Sequence, residues 1–527
     1  MTFHDTTAPV GTVSPRALRE WLVDGEEIAL VDVREEGQFG LGHPLLSSNI
    51  PYSRIEVDIA AKVPLLATRL VLLDAGDGVA AKAARRLLAL GYGRITLLEG
   101  GAPGWAAAGY ELFDGLNVPS KAFAEVVEVE QGTPHIEASE LEKLTRSGAD
   151  LVILDTRTPE EFDRFHVPGA LSAPGVELIA RAAELASSPD TLIVVSCAGR
   201  TRSIIGAQAL INFGTPNRVV SLAGGTQGWR LAGFELEHGA VADASTGSVA
   251  LPGRLARAGE LRSRYGLAVV SPTDLQAWRS DGSRTTFLFD VRTREEFERG
   301  HLPGARWVPG GQLVQTLDDW VAVRHARLVV ADDDGVRASV AAHWLKQMGW
   351  DVFVCTADAG AHVPHTAWSY QPKQDRRIAG EQAASWVGAE GKVVSSDRSA
   401  VFLAGHVRES QWVNRARVGS LAADIRSAPR ILLVGADPAL SDLVADDLAE
   451  ATGAEVRILD ATVWEAKAAG FQIDEGGLSQ ADRIDTLFWN HLRHEGDKTA
   501  MRAYLDWEIE LPARVAADGG AGFQIRA

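Results

Sequence analysis

Four times along the chain, an apolar run stops at a short polar loop and gives way to apolar positions at helical spacing. The copies read LVLLDAGDGVAAKAARRLLALGY, TLIVVSCAGRTRSIIGAQALINFG, LVVADDDGVRASVAAHWLKQMGW and ILLVGADPALSDLVADDLA. An uninterrupted apolar run of this length suits a strand buried on both faces, and a 3.6-residue period suits a helix covering it. In the second copy Thr191 to Ser196 supply the strand, and Ile204, Ile205, Gln208 and Ile211 mark the helix. A further strand follows each helix, in RITLLEGG, RVVSLAGG, DVFVC and EVRILD. Strands alternating with helices predict a parallel arrangement. The expected fold is α/β: tandem copies of a small, mostly parallel five-stranded sheet covered by helices on both faces, ending in a helical C-terminal tail.

The copies share landmarks upstream as well. Asp32 precedes His43 by eleven residues, and the same interval separates Asp155 from His166 and Asp290 from His301. From each of these histidines, 31 residues lead to Asp74, Cys197 and Asp332. A fourth, eroded copy keeps His406 but has Ser395 in place of the leading aspartate, and its loop begins at Gly435. Units at 12–117, 133–238, 268–370 and 376–470 result, with 471–527 as the tail. Between the first two units, NVPSKAFAEVVEVEQG alternates Val with Glu, which suits a segment that pairs or packs between domains. The Ala-, Gly- and Ser-rich stretch from Glu237 is expected to divide units one and two from units three and four. The tail reads as two helices broken at Glu495 and Gly496. Its Leu487, Phe488, Leu492, Tyr504, Trp507 and Leu511 need cover, either by bracing the fold or by forming a homodimer.

Charge narrows the partners. A formal net charge of −18 repels polyanions, so nucleic acid and anionic membrane surfaces are not expected, although a local basic patch can accept a small anion. Two cysteines cannot frame disulfides in 527 residues, and neither a long apolar run nor a basic leader is evident. A soluble cytoplasmic protein is expected. No cysteine and histidine cluster has metal-ligand spacing, so neither a metal nor a cofactor is expected.

The chemistry gathers at Cys197, where a strand turns into a helix. Backbone N–H groups and the helix N-terminus favour an anion there, so the thiol pKa is expected to fall below its ordinary value of about 8.5. Arg200 and Arg202 add charge that never deprotonates. Gly199 permits a tight loop, and Thr201 or Ser203 can donate a hydroxyl hydrogen bond. Asp155 with Arg157 fits an ion pair fixing a turn, and His166 fits a hydrogen-bonded loop. Gly224 and Gly225 fit a close turn near the mouth of the site, while Trp229 fits the core. Cys355 ends a strand and fits a buried apolar position.

Together, CAGRTRS, DTRTPEEF, HVPGA and LAGGTQGW resemble the rhodanese-like sulfurtransferases over residues 12–470. The resemblance implies one catalytic domain, 133–238, two inactive ones, 12–117 and 268–370, and a degenerate inactive one, 376–470. It implies that Cys197 takes sulfane sulfur from a small anionic donor, holds it as a covalent persulfide and passes it to cyanide or a thiol. The amides of Ala198, Gly199, Arg200, Thr201, Arg202 and Ser203 are then the persulfide cradle, with Arg200 and Arg202 holding the donor. Two arginines suit a compact dianion such as thiosulfate; 3-mercaptopyruvate is the alternative donor. A persulfide relay or sensor, with silent domains binding a partner, is the alternative function. A cysteine phosphatase needs its arginine six positions after the cysteine, where this chain has Ser203.

Overall fold

The computed structural model describes residues 10–239, 253–356, 371–488, 492–493, 496–519 and 521–526. The chain forms two compact units, one of residues 1–20, 29–115 and 367–488, the other of 21–28, 116–366 and 489–527. The first and fourth repeats thus share a unit, as do the second and third. This corrects the expected division of one and two from three and four. Linker composition does not encode which repeats pack together, and residues 240–252 of that linker lie outside the described residues.

In the unit holding Cys197, the elements that build the site are α1 (Val118–Gln131), β1 (His135–Ile136), β2 (Leu151–Asp155), β3 (Ala170–Ser172), β4 (Leu192–Ser196), α2 (Thr201–Asn212), β5 (Val219–Leu222), α3 (Gly225–Leu231) and α4 (Lys498–Asp518). The sheet runs β1-β5-β4-β2-β3, all parallel. Central β4 lies between β2 and β5, with Ile193, Val194 and Val195 fully buried, which explains its unbroken apolar run. The third repeat has the same order in strands 268–269, 351–356, 327–332, 286–290 and 306–307. In the other unit, the first repeat orders 11–13, 95–98, 69–73, 28–32 and 48–49 likewise. The fourth runs 455–460, 430–435, 392–395, 411–412, with a single bridge from Arg377 to Ile458 where the others have an edge strand.

Within each unit the paired repeats are joined by specific contacts. Tyr52 donates to Asp447 at 2.8 Å, and buried Arg415 pairs with Glu56 and Asp447. In the unit holding Cys197, the backbones at Gly175 and Gly311 approach so closely that a Cβ on Gly175 would stand 2.5 Å from the Gly311 nitrogen. Arg337 reaches from the third repeat to Glu177 of the second at 2.9 Å.

Two of the segments outside the repeats help to build the Cys197 site. The Val and Glu stretch is helical, not extended: α1 carries Pro119 in its first turn, ends at left-handed Gly132 and buries Val127 while leaving Val129 exposed. The tail contributes one 21-residue helix, α4, capped by Asp497 accepting from Thr499 and Ala500. Its buried residues Met501, Tyr504, Trp507, Glu508, Leu511 and Val515 recur at helical spacing, and α4 packs on α1. Burial of Tyr504, Trp507 and Leu511 is worth roughly 1.5–3 kcal/mol each. Tyr504, Trp507 and Leu511 are therefore covered within the chain, while Leu492 stays 43% exposed. Residues 489–491 and 494–495, in the region of the first expected tail helix, lie outside the described residues.

Candidate active site

Cys197 follows the last residue of β4, is 2% exposed and lines a cavity of about 190 Å3. That is below the roughly 300–1,000 Å3 of sites for drug-sized ligands and suits a small anion or thiol. The loop is shorter than CAGRTRS suggests, because α2 already begins at Thr201. Ser203 lies in its first turn, with Oγ donating to the Arg200 carbonyl at 2.9 Å and standing 3.5 Å from Sγ. From the other side α3 grips the loop: Thr226 N–H donates to the Cys197 carbonyl at 2.8 Å, and Gln227 N–H to that of Ala198 at 3.1 Å. Gly224 and Gly225 make this possible with φ of +68° and +54°; a Cβ on Gly225 would sit 2.2 Å from the Cys197 carbonyl oxygen.

The resting thiol differs from the expectation of a lowered pKa. Burial pushes it up, and the neighbouring carboxylate of Glu508 adds to that; Arg202 and hydrogen bonds from Ser203 pull it down. Desolvation outweighs both. Arg202 is the main charge on the thiolate's side, so Arg202→Gln is expected to move the pH midpoint of Cys197 alkylation up by about one unit or more. Iodoacetamide rates across pH measure this, and an unmoved midpoint would remove Arg202 from thiolate stabilisation.

Neither arginine stands ready as an isolated anion ligand. Arg200, the N-cap of α2, is held by Glu125 at 2.8 Å and by Glu128, both on α1. Arg202 makes a two-pronged pair with Glu161 at 2.6 and 2.8 Å. Both still line the cavity. Burial acts to raise the Glu161 carboxyl, but the Arg202 bonds and charge prevail and hold it at about 2, so this pair persists through the neutral range. Burial pushes Glu125 up to about 7 against the pull of Arg200, with Glu508 and Glu128 adding to the rise.

Other singled-out residues support the frame. Arg157 and Asp155 form a buried pair, with Nε to Oδ1 at 2.9 Å and Nη2 to Oδ2 at 2.8 Å. His166 stacks on Phe162 with its Nδ1 3.1 Å from the Phe162 carbonyl, and its backbone N–H donates to Glu237. Trp229 is buried and donates to the Glu235 carbonyl at 2.8 Å. Cys355 is fully buried, and burial pushes its thiol up to about 11.

The other walls come from α1 and the segment before it, from Gln312 and Gln315 of the third repeat and from the tail, and sequence reading missed them. Lys121 reaches the cavity and donates to the Leu116 carbonyl; burial, with Arg493 nearby, pushes it down to about 8. Arg493 lies over the Tyr504 ring, 3.5 Å from its centroid. Glu508 Oε1 accepts from Thr201 Oγ1 at 3.0 Å and from Tyr504 OH at 2.9 Å. The signal was present: Lys121, Glu125 and Glu128 share one face only if 118–131 is helical, and Tyr504 and Glu508 are one turn apart.

The sister loops carry no thiol at this position. Asp74 accepts from the N–H groups of Gly76 at 2.8 Å and Ala80 at 2.9 Å, and Asp332 from those of Gly335 at 2.6 Å and Ala338 at 3.0 Å. Each carboxylate thus occupies its own backbone nest. The third repeat otherwise retains the frame of the second, with Arg292 paired to Asp290 and Arg337 to Glu296. At Gly435 any side chain would meet the hydroxyls of Ser396 and Ser441, at 2.5 and 2.8 Å from a Cβ. Among the described residues, no group of three or more His, Cys, Asp or Glu is placed to hold a metal ion, and no helix is long and apolar enough to cross a membrane.

Comparison with known proteins agrees with this architecture. A crystal structure of thiosulfate sulfurtransferase from Pseudomonas aeruginosa is 40% identical, with a TM-score of 0.91 over 98% of this chain and 100% of that one. The HTH-type transcriptional regulator Rv0324 of Mycobacterium tuberculosis is 34% identical over 110 residues, 21% of this chain and 48% of that protein, so the match spans about half of the relative's length. The rhodanese-like domain profile matches residues 14–108, 137–232 and 271–358, together just over half of the chain. The chain belongs to the rhodanese-like domain family.

Proposed function

We propose that this protein is a sulfurtransferase in which Cys197 carries sulfane sulfur from a small anionic donor, thiosulfate first among them, to a thiol or to cyanide. One observation carries the reading: among four repeats that share the order of four strands, only the second places a thiol, not a carboxylate or a glycine, at the head of the loop. The similarity to a thiosulfate sulfurtransferase along nearly the whole chain supports the same donor.

In the first half-reaction, Cys197 thiolate attacks the outer sulfur of thiosulfate. The new S–S bond forms as the S–S bond of the donor breaks, sulfite leaves with the electron pair, and Cys197 holds a persulfide anion. Amides of residues 198–203 are the donors available to that negative sulfur, and Arg202 offsets its charge. In the second half, an acceptor attacks the outer sulfur and the cysteine is released. The buried position of Cys197 and the small cavity favour a small acceptor over a bulky protein surface.

Because both arginines are engaged by carboxylates, Lys121 is proposed as a further ligand for the donor anion. Its charge is present below about pH 8 and is lost as pH rises through that value. Thiosulfate binding to Cys197→Ser, a background without the thiol, should weaken by up to about tenfold per pH unit above pH 8. Lys121→Met in that background should bind at least ~10-fold more weakly at pH 7 and lose this step. Calorimetry across pH measures both, and an unchanged affinity in Lys121→Met would exclude Lys121 from donor recognition.

A further inference from the structure

The two halves of the proposed cycle make opposite demands on charge, and the role of Glu508 rests on that cycle. Glu508 is 1% exposed, on α4, outside every repeat. Thr201 and Tyr504 satisfy its Oε1, whereas Oε2 has no hydrogen-bond partner among the described residues. Oε2 stands over the cysteine loop, 3.1 Å from where a Cβ of Gly199 would be, and Glu508 lines the Cys197 cavity. A buried carboxylate oxygen left without a donor is costly. This one also opposes the first half-reaction, since its charge disfavours both a thiolate and an anionic donor nearby. Its position has a use in the second half, when a thiol acceptor arrives carrying a proton.

We propose that Glu508 is a catalytic base toward a thiol acceptor. The thiol R–SH gives its proton to Oε2. Its sulfur then bonds to the outer sulfur of the Cys197 persulfide, the S–S bond to Sγ breaks with its electron pair going to Sγ, and Glu508 hands the proton to Sγ. The sum is Cys–S–S⁻ plus R–SH giving Cys–SH plus R–S–S⁻, with charge and protons balanced and no outside oxidant or reductant. Thr201 and Tyr504 hold Oε1 and so keep Oε2 turned to the pocket. This assignment also gives the repeats a reason to retain a tail helix over one loop.

The test is single-turnover transfer from Cys197 loaded with thiosulfate, with 2-mercaptoethanol or sulfite as acceptor. Sulfite brings no proton to be removed. In Glu508→Gln, transfer to 2-mercaptoethanol should fall at least ~100-fold relative to transfer to sulfite. Equal loss with both acceptors, or no loss with either, overturns the proposal. If Glu508→Gln does not fold, the wild type carries the test: a solvent deuterium isotope effect on transfer to 2-mercaptoethanol, absent with sulfite, supports the base, and its absence with both overturns it. A wild type that takes up no sulfur contradicts the sulfur-transfer reading itself, separately from the role of Glu508.

Discussion

Cys197→Ser is expected to abolish sulfur transfer, with a loss on the order of 10⁴–10⁶-fold in thiosulfate-to-cyanide turnover, the scale seen when a nucleophile is removed. Serine fits the site, since Sγ has Ser203 Oγ at 3.5 Å and the surrounding loop is fixed by α3 through the Cys197 and Ala198 carbonyls. The fold should therefore survive, and thermal unfolding should match the wild type within a few degrees. Residual turnover has no second thiol to draw on: Cys355 is fully buried in a strand, and Asp74, Asp332 and Gly435 hold the equivalent loop positions. Turnover within tenfold of wild type would place the chemistry elsewhere.

Gly225→Ala is expected to be the most disruptive single-methyl change near the site. The added carbon would stand 2.2 Å from the Cys197 carbonyl oxygen and 2.8 Å from that of Gly199, at a residue with φ of +54°. A left-handed alanine costs about 1–2 kcal/mol, and forcing a methyl against packed backbone about 1–3 kcal/mol more. Relief requires α3 to withdraw, breaking the Thr226 and Gln227 bonds that shape the cysteine loop. The expected result is a loss of about 2–5 kcal/mol in denaturant unfolding together with at least ~100-fold in turnover. Gly233→Ala is the control, since a Cβ there meets nothing within 4 Å while its φ of +93° still strains the backbone. Equal behaviour of the two variants would show that close approach at Gly225 is unimportant.

The repeats were legible because each buries a strand on both faces, which leaves an apolar run that no surface element imitates. Spacing from Asp155 to His166 to Cys197 carried the register of the second repeat, and the same spacing identified Asp74 and Asp332 as replacements for the thiol. Pairing of repeats was not legible. It depends on matches such as Tyr52 with Asp447 and Gly175 with Gly311, between residues far apart in sequence. The cavity was half legible for the same reason. Cys197 and its arginines lie in one continuous stretch, whereas Lys121 arrives from α1, Tyr504 and Glu508 from α4, and Gln312 and Gln315 from the third repeat. The alternation of Val and Glu concealed the helical face of α1. The thiol pKa was misjudged because helix ends and arginines are visible in sequence while burial and an approaching carboxylate are not.

The relay alternative differs from the sulfurtransferase reading in its acceptor, not in its carrier. Both require the persulfide to form on Cys197. Intact mass after incubation with thiosulfate and removal of excess donor, followed by peptide mapping without reductant, tests this most directly. The expected result is one added sulfur atom per chain, located on the peptide containing Cys197, and none on Cys197→Ser. A wild type that stays unmodified, or an added sulfur mapped to Cys355, would contradict it.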